Sequence, residues 1–321
     1  MVWIDVFNGD ADGIFALHQL RLAEPRPEAR LVTGVKRDID LLAQVSPAEQ
    51  PRAVTVLDVS LDRNRAYLLP LLEVCPVLYI DHHFPGEIPA SPNLTAHIDP
   101  SPEVCTSLIV DRLLDGRYRG WAVAAAFGDN LHQPALRAAA ALGLSEAETA
   151  TLRELGELCN YNGYGPAPAD LHFHPADLYR ALMPFTDPFD FCRRSGILST
   201  LRQGFSDDMA RARAVPPLSA STAGRIYRFP AEAWARRAAG VFCNEKAREE
   251  PELAHALLVP NQDQSALVVS IRAPLARPKG ADQLCRAFPT GGGRAGAGGI
   301  NALPVALVDK FNQSFQEVFT P

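Results

Sequence analysis

The first hundred residues alternate short apolar runs with longer amphipathic ones. "VWIDVF" (2–7), "AVTVLDVS" (53–60) and "PVLYIDHH" (76–83) open as near-continuous apolar stretches of strand length. Such runs, lacking apolar/polar alternation, predict strands buried on both faces, as in parallel sheets. Between them, "GIFALHQLRLA" (13–23) and "DRNRAYLLPLLEV" (62–74) carry apolar residues at helical spacing, the second with Pro70 in its course. "ARLVTGV" (29–35) and "NLTAHID" (93–99) read as further strands, and "IDLLAQV" (39–45) as a short helix. This β-α-β rhythm predicts an α/β domain on a doubly wound, mainly parallel sheet.

From about Thr106 to Asp190 the pattern turns mostly helical, interrupted by "NYNGYGPAP" (160–168). The Pro/Ser-rich stretch around "VPPLSAS" predicts a linker over 210–223, separating a domain at 1–209 from a smaller α/β domain at 224–321. In the latter, "GRIYRF" (224–229), "HALLVP" (255–260) and "SALVVSIR" (265–272) read as strands. Helices are expected over "AEAWARRAAGVFCNEKA" and "ADQLCRAF", followed by a glycine-rich loop, "GGGRAGAGG" (291–299). The closing "VALVDKFNQSFQEVF" predicts an amphipathic helix, a candidate homodimer interface in an oligomeric state the sequence leaves open.

The 321 residues suffice for two hydrophobic cores. No apolar run is long enough to span a membrane and no secretory leader pattern opens the chain, so a cytoplasmic protein is expected. Cys75, Cys105, Cys159, Cys192, Cys243 and Cys285 are scattered without a C-x-x-C pair, which predicts free thiols and no zinc knuckle. A net charge of −6 argues against coating long nucleic acid, but not against a nucleotide site to which divalent cations bring the positive charge.

Three predicted strands end in ligand-type side chains: Asn8, Asp10 and Asp12 after the first, Asp58 after the third, and Asp81, His82 and His83 after the fourth. In open parallel α/β sheets, ligand sites lie just beyond the carboxyl ends of the strands, so these groups should converge. Clustered carboxylates repel one another, and divalent cations remove that cost. Each element has a plainer alternative. Asp12 and Asp58 suit helix caps. "N-x-D-x-D-G" matches the opening of an EF-hand loop, but Gln19 stands where its bidentate glutamate belongs. Asp129 suits a helix end, and His172 and His174 in "HFH" suit an exposed loop. Three ionisable residues directly behind "VLYI" fit packing poorly and favour metal or catalytic work.

"NGDADG", "LDVS", "DHH" and "FGDN", in that order, resemble the four motifs of the DHH phosphoesterase superfamily, a group that includes RecJ-type exonucleases and nanoRNases. The late "SIR…GADQLCRAFPTGGGRAGAGGI" resembles the end of its DHHA1 domain. The resemblance implies that Asp10, Asp12, Asp58, His82 and Asp129 hold two Mn²⁺ ions, with Mg²⁺ as the alternative. Two ions about 3.5–4 Å apart can activate a shared water and polarise phosphoryl oxygens. It assigns Asp58, Asp81 and His83 to catalysis. Asn8, Asn160, Arg272, Gly291, Gly292, Gly293 and Arg294 are assigned to substrate binding. Two departures stand out: Arg294 follows the glycines where the family has histidine, and Asn8 stands where some relatives carry aspartate. The implied activity is Mn²⁺-dependent hydrolysis of a short single-stranded nucleic acid or a (cyclic) dinucleotide in a cleft between the domains. A phosphomonoesterase acting on 3′-phosphoadenosine 5′-phosphate and a non-catalytic nucleotide sensor are the alternatives.

Overall fold

The first apolar run forms β1 (Trp3–Phe7), buried beyond its first residue, and it lies inside a sheet rather than at an edge. The computed structural model describes residues 2–320, which separate into two units between Gln203 and Gly204. In the first unit, α1 (Ala11–Ala23) leads to β2 (Arg30–Val32), β3 (Ala53–Leu57), α2 (Leu61–Leu72), β4 (Val77–Asp81) and β5 (Leu94–Ile98). All five strands are parallel, in the order β2-β1-β3-β4-β5. The order reverses between β1 and β3, and such a switch point opens a crevice at the carboxyl ends of the strands. "IDLLAQV" forms only a 3₁₀ turn, Leu41–Gln44.

Seven helices follow: α3 (Thr106–Leu113), α4 (Arg119–Gly128), α5 (His132–Ala141), α6 (Glu146–Asn162), α7 (Pro175–Leu182), α8 (Pro188–Arg194) and α9 (Ile197–Ala214). Helices α4 and α6 meet through small residues. A Cβ on Gly156 would lie 1.9 Å from the Ala124 carbonyl oxygen, and one on Gly128 would lie 2.7 Å from the Gly156 oxygen. This close approach fixes the end of α4, where Asp129 is the C-cap. Below the sheet rim, Arg21 donates to Asp5 at 2.6 and 2.8 Å and to Thr55 at 2.8 Å. The buried ion pair ties α1 to β1 and β3.

The second unit contains β6 (Ser219–Ala220), β7 (Gly224–Arg228), α10 (Ala233–Glu249), β8 (Ala254–Pro260), β9 (Ala266–Arg272), α11 (Ala281–Arg286), β10 (Gly291–Arg294), β11 (Ala297–Pro304) and α12 (Val308–Phe319). Its six strands run β10-β11-β9-β8-β7-β6, and only the β7–β8 pair is parallel. Both units are thus α/β.

Three expectations need correction. Residues 210–214, expected in a linker, are the last turn of α9, and the unit boundary lies within that helix. "GGGRAGAGG" is not a loop but the antiparallel β10–β11 hairpin. The apolar face of α12 packs into its own unit's core through Phe311, Phe315 and Phe319, so these rings are not free for a dimer interface.

Candidate functional site

The turn after β1 is built around Asp10, not Asp12, as the cap of α1. Asp10 Oδ1 accepts from the backbone N–H of Asp12 at 3.0 Å and of Gly13 at 3.2 Å. Asn8 Oδ1 in turn accepts from the Asp10 amide at 3.2 Å. Gly13 is needed because a Cβ there would stand 2.3 Å from the Asn8 carbonyl oxygen. The turn therefore presents its carboxylates from a tightly folded backbone.

Asp12 accepts from the amides of Thr106 and Ser107, each at 2.7 Å, at the start of α3. Asp58, beyond β3, has a left-handed backbone (φ 58°) and accepts from the Thr106 hydroxyl at 3.2 Å. Asparagine and aspartate tolerate that conformation better than most residues. His82 directs Nδ1 to the Val104 carbonyl at 3.0 Å, which leaves Nε2 3.4 Å from Asp58 and 3.8 Å from Asp129. Residues distant in sequence thus meet at the carboxyl rim of the sheet.

The charges of the cluster are unbalanced. Burial, reinforced by Asp12 and Asp10, pushes the Asp58 carboxyl well above its usual range. Burial and the same two neighbours raise Asp129 to about 6. Burial opposes the charged form of His82, but its contact with Asp58 and the surrounding carboxylates outweigh this and raise it to about 10. Such shifts mark a site that is short of positive charge.

The donor set fits a divalent cation. Ligand atoms of Asp58, His82 and His83 lie within 4.8 Å of one another, as do those of Asp12, His82 and Asp129. Mixed carboxylate and imidazole donors suit a divalent transition-metal ion better than a purely oxygen-seeking one.

Lys36, which follows β2, is a residue that sequence reasoning missed. Its ammonium lies 2.5 Å from Asp10 Oδ2, 2.9 Å from Asn160 Oδ1 and 3.5 Å from Asp129 Oδ1. Burial alone would raise the Asp10 carboxyl, but the charge and hydrogen bond of Lys36 and the Gly13 amide hold it below its ordinary value. Asn160 is buried, and its amide nitrogen donates to the Tyr164 hydroxyl at 2.8 Å, so both ends of its side chain are engaged within the site. The one available signal is position: Lys36 follows a strand end, as Asp10, Asp12, Asp58, His82 and His83 do.

An open cavity of about 420 Å³ lies over the cluster, lined among others by Asn8, Asp10, Lys36, Asp58, His82, His83 and Asp129. Arg63 and Phe84, also unforeseen, complete its wall. Phe84 is 74% exposed, the most exposed large hydrophobic side chain among the described residues. His83 Nδ1 lies 2.7 Å from Asp81 Oδ1, and Asp81 itself is fully buried. Asp81 therefore orients His83 rather than facing the cavity. The "HFH" histidines are engaged locally, His172 with the Tyr161 hydroxyl and His174 as the cap of α7.

The second unit has its own shallow concavity of about 530 Å³. It gathers Arg272, Gly291, Gly292, Gly293 and Arg294 with Thr290 and Asn301. Arg272 is held by a 2.7 Å hydrogen bond from Nε to Asn244. Two guanidinium groups beside a glycine edge strand suit an anionic ligand.

No protein-family model matches the chain, and no curated protein matches it. Solved structures do. A DHH-domain protein described as belonging to a family of ribosomal proteins shares 14% identity over 99% of this chain and 86% of that chain, with a TM-score of 0.66. A manganese-bound RecJ exonuclease shares 16% over 98% and 89%, at 0.62. A pGpG-specific phosphodiesterase, PggH from Vibrio cholerae, shares 13% over 99% and 99%, at 0.57. The likeness is one of fold, and it spans both units: the chain has the fold of DHH-domain proteins.

Proposed function

We propose that this DHH-fold chain is a divalent-metal-dependent phosphodiesterase acting on short oligonucleotides or (cyclic) dinucleotides, with Mn²⁺ as the preferred ion. The observation that carries the reading is the convergence of Asp12, Asp58, His82 and Asp129 beneath one cavity at the switch point of the sheet. The RecJ and PggH likenesses support it.

A divalent cation bound by these donors would supply the Lewis acidity that polarises a phosphoryl oxygen and acidifies a water. The chain's own groups do the rest. His82 is oriented by Val104 so that Nε2 faces the carboxylates. His83, held by Asp81, lines the cavity where it can donate to a phosphate oxygen. Arg63 adds a guanidinium, and Phe84 offers a ring on which a nucleobase can stack. A surface with one stacking ring suits a short substrate, in keeping with the chain's net negative charge. The concavity with Arg272 and Arg294 supports a phosphate-bearing ligand independently.

One observation favours the sensor alternative: Lys36 occupies Asp10, a carboxylate expected to bind metal. A Mn²⁺-supplemented panel of pApA, a short single-stranded oligonucleotide and 3′-phosphoadenosine 5′-phosphate separates the readings. Turnover of the diesters is expected. Turnover of the bisphosphate alone would establish the monoesterase, and tight binding without turnover the sensor.

A further inference from the structure

The surroundings of Lys36 are those of a bound cation. An ammonium has three N–H donors, and Nζ meets three oxygens, from Asp10, Asn160 and Asp129. Its main chain is pinned as well: the Lys36 N–H donates to the Gly163 carbonyl at 3.0 Å, and the Asn8 amide donates to the Lys36 carbonyl at 3.3 Å. The Val35 amide donates to Asp38 at 2.9 Å and closes the turn from which the lysine extends. This is a built position, not a surface lysine that has folded inward.

Asp10 keeps a single open lone pair, and the Lys36 ammonium stands beside it. Oδ1 accepts two backbone amides and Oδ2 accepts Lys36, whereas each Asp12 oxygen accepts one amide and keeps a lone pair free. Asn8, its neighbour in the turn, is engaged at both ends of its amide. The two candidate ligand groups, Asp58–His82–His83 and Asp12–His82–Asp129, share His82. Nδ1 of that ring is directed at Val104, so Nε2 alone is left for both groups, and one nitrogen binds one ion. A second dication beside Asp10 would also face the Lys36 charge at close range, where the repulsion is costly.

We infer that Lys36 is a tethered substitute for a second metal ion, so that the centre takes one divalent cation per chain, held among Asp12, Asp58, His82 and Asp129, with the ammonium fixed on its Asp10 side. The inference rests on the divalent-metal reading proposed above. In the reaction, Lys36 compensates the negative charge of Asp10 and Asp129, a role otherwise left to metal.

Metal counting tests this without reference to turnover. The full-length chain is stripped with chelator, titrated with Mn²⁺ by calorimetry, and examined by electron paramagnetic resonance. Wild type is expected to bind one ion, with the six-line signal of an isolated Mn²⁺. Lys36→Met is expected to admit a second ion and to show the broadened signal of a coupled pair. If Lys36→Met fails to fold by circular dichroism, Lys36→Gln, which retains a donor without the charge, takes its place with the same expectation. Two coupled ions in wild type would overturn the inference and leave the metal reading intact. One ion in both wild type and the folded variant would overturn it as well. No specific ion in wild type would overturn the metal reading itself.

Discussion

Phe84 illustrates how a single residue separates binding from chemistry. Its ring is exposed at the cavity wall and brings neither charge nor a ligand atom to the carboxylate cluster. Loss of a stacked base costs about 1–3 kcal/mol, roughly 5–150-fold in affinity. Phe84→Ala is therefore expected to raise KM for a dinucleotide by about tenfold or more with kcat little changed, measured by steady-state kinetics. A fall in kcat at constant KM would place the ring in another role. Asp81 belongs to the opposite class. The sequence reading assigns it to catalysis, but it is buried and touches His83, so its contribution runs through that ring. The residues most readily legible in the sequence are those whose chemistry is unusual at a strand end: Asp10, Asp12, Asp58 and the histidine pair. Arg63 and Phe84 are not legible there, because a lone arginine or phenylalanine carries no spacing signal, and Lys36 has only its place after a strand end. Only the fold brings them to the same rim.

At the scale of elements, the apolar runs foretell β1, β3 and β4 well because strands buried on both faces must be apolar throughout. The glycine-rich segment misleads for an equally physical reason. Glycine ordinarily marks flexible chain, yet here it permits close packing: a Cβ on Gly291 would lie 1.8 Å from the Cys285 carbonyl oxygen, and one on Gly298 2.6 Å from Cys285 Sγ. The hairpin can form against α11 only without side chains at these points. The α1–β1 junction gives a further prediction. Asp5→Ala leaves the buried Arg21 guanidinium with Thr55 as its remaining partner and is expected to cost about 3–5 kcal/mol in urea unfolding. A cost near zero would mean that Arg21 finds water instead. In the second unit, Phe315→Ala removes a fully buried ring of α12 and is expected to destabilise by about 3–5 kcal/mol. That loss should appear even in dilute protein, since the ring packs within its own chain.

For the molecule as a whole, the charge cluster couples stability to pH and to metal. Asp129, raised from 3.8 to about 6, favours its protonated form in the fold; its contribution is complete below pH 3.8 and is lost as pH rises through about 6. Burial and its carboxylate neighbours act on Asp58 in the same direction. His82, raised from 6.5 to about 10, stabilises fully below pH 6.5, and that contribution is lost as pH rises through about 10. Chelator-treated protein is therefore expected to melt at a lower temperature at pH 9 than at pH 5, and saturating Mn²⁺ to narrow the gap. A melting temperature that climbs with pH in chelator would contradict the electrostatic account. Asp10 runs the other way: its depressed value contributes stability above pH 3.8 that is lost only in more acidic solution. The most direct test of the central claim is hydrolysis of pApA followed by chromatography, for wild type and Asp58→Ala, with Mn²⁺ and after chelator. The account predicts conversion to AMP by wild type with Mn²⁺, loss of conversion in chelator with recovery on metal return, and at least a hundredfold loss in Asp58→Ala, on the order of 3 kcal/mol of barrier. Undiminished conversion in chelator or by Asp58→Ala would contradict it.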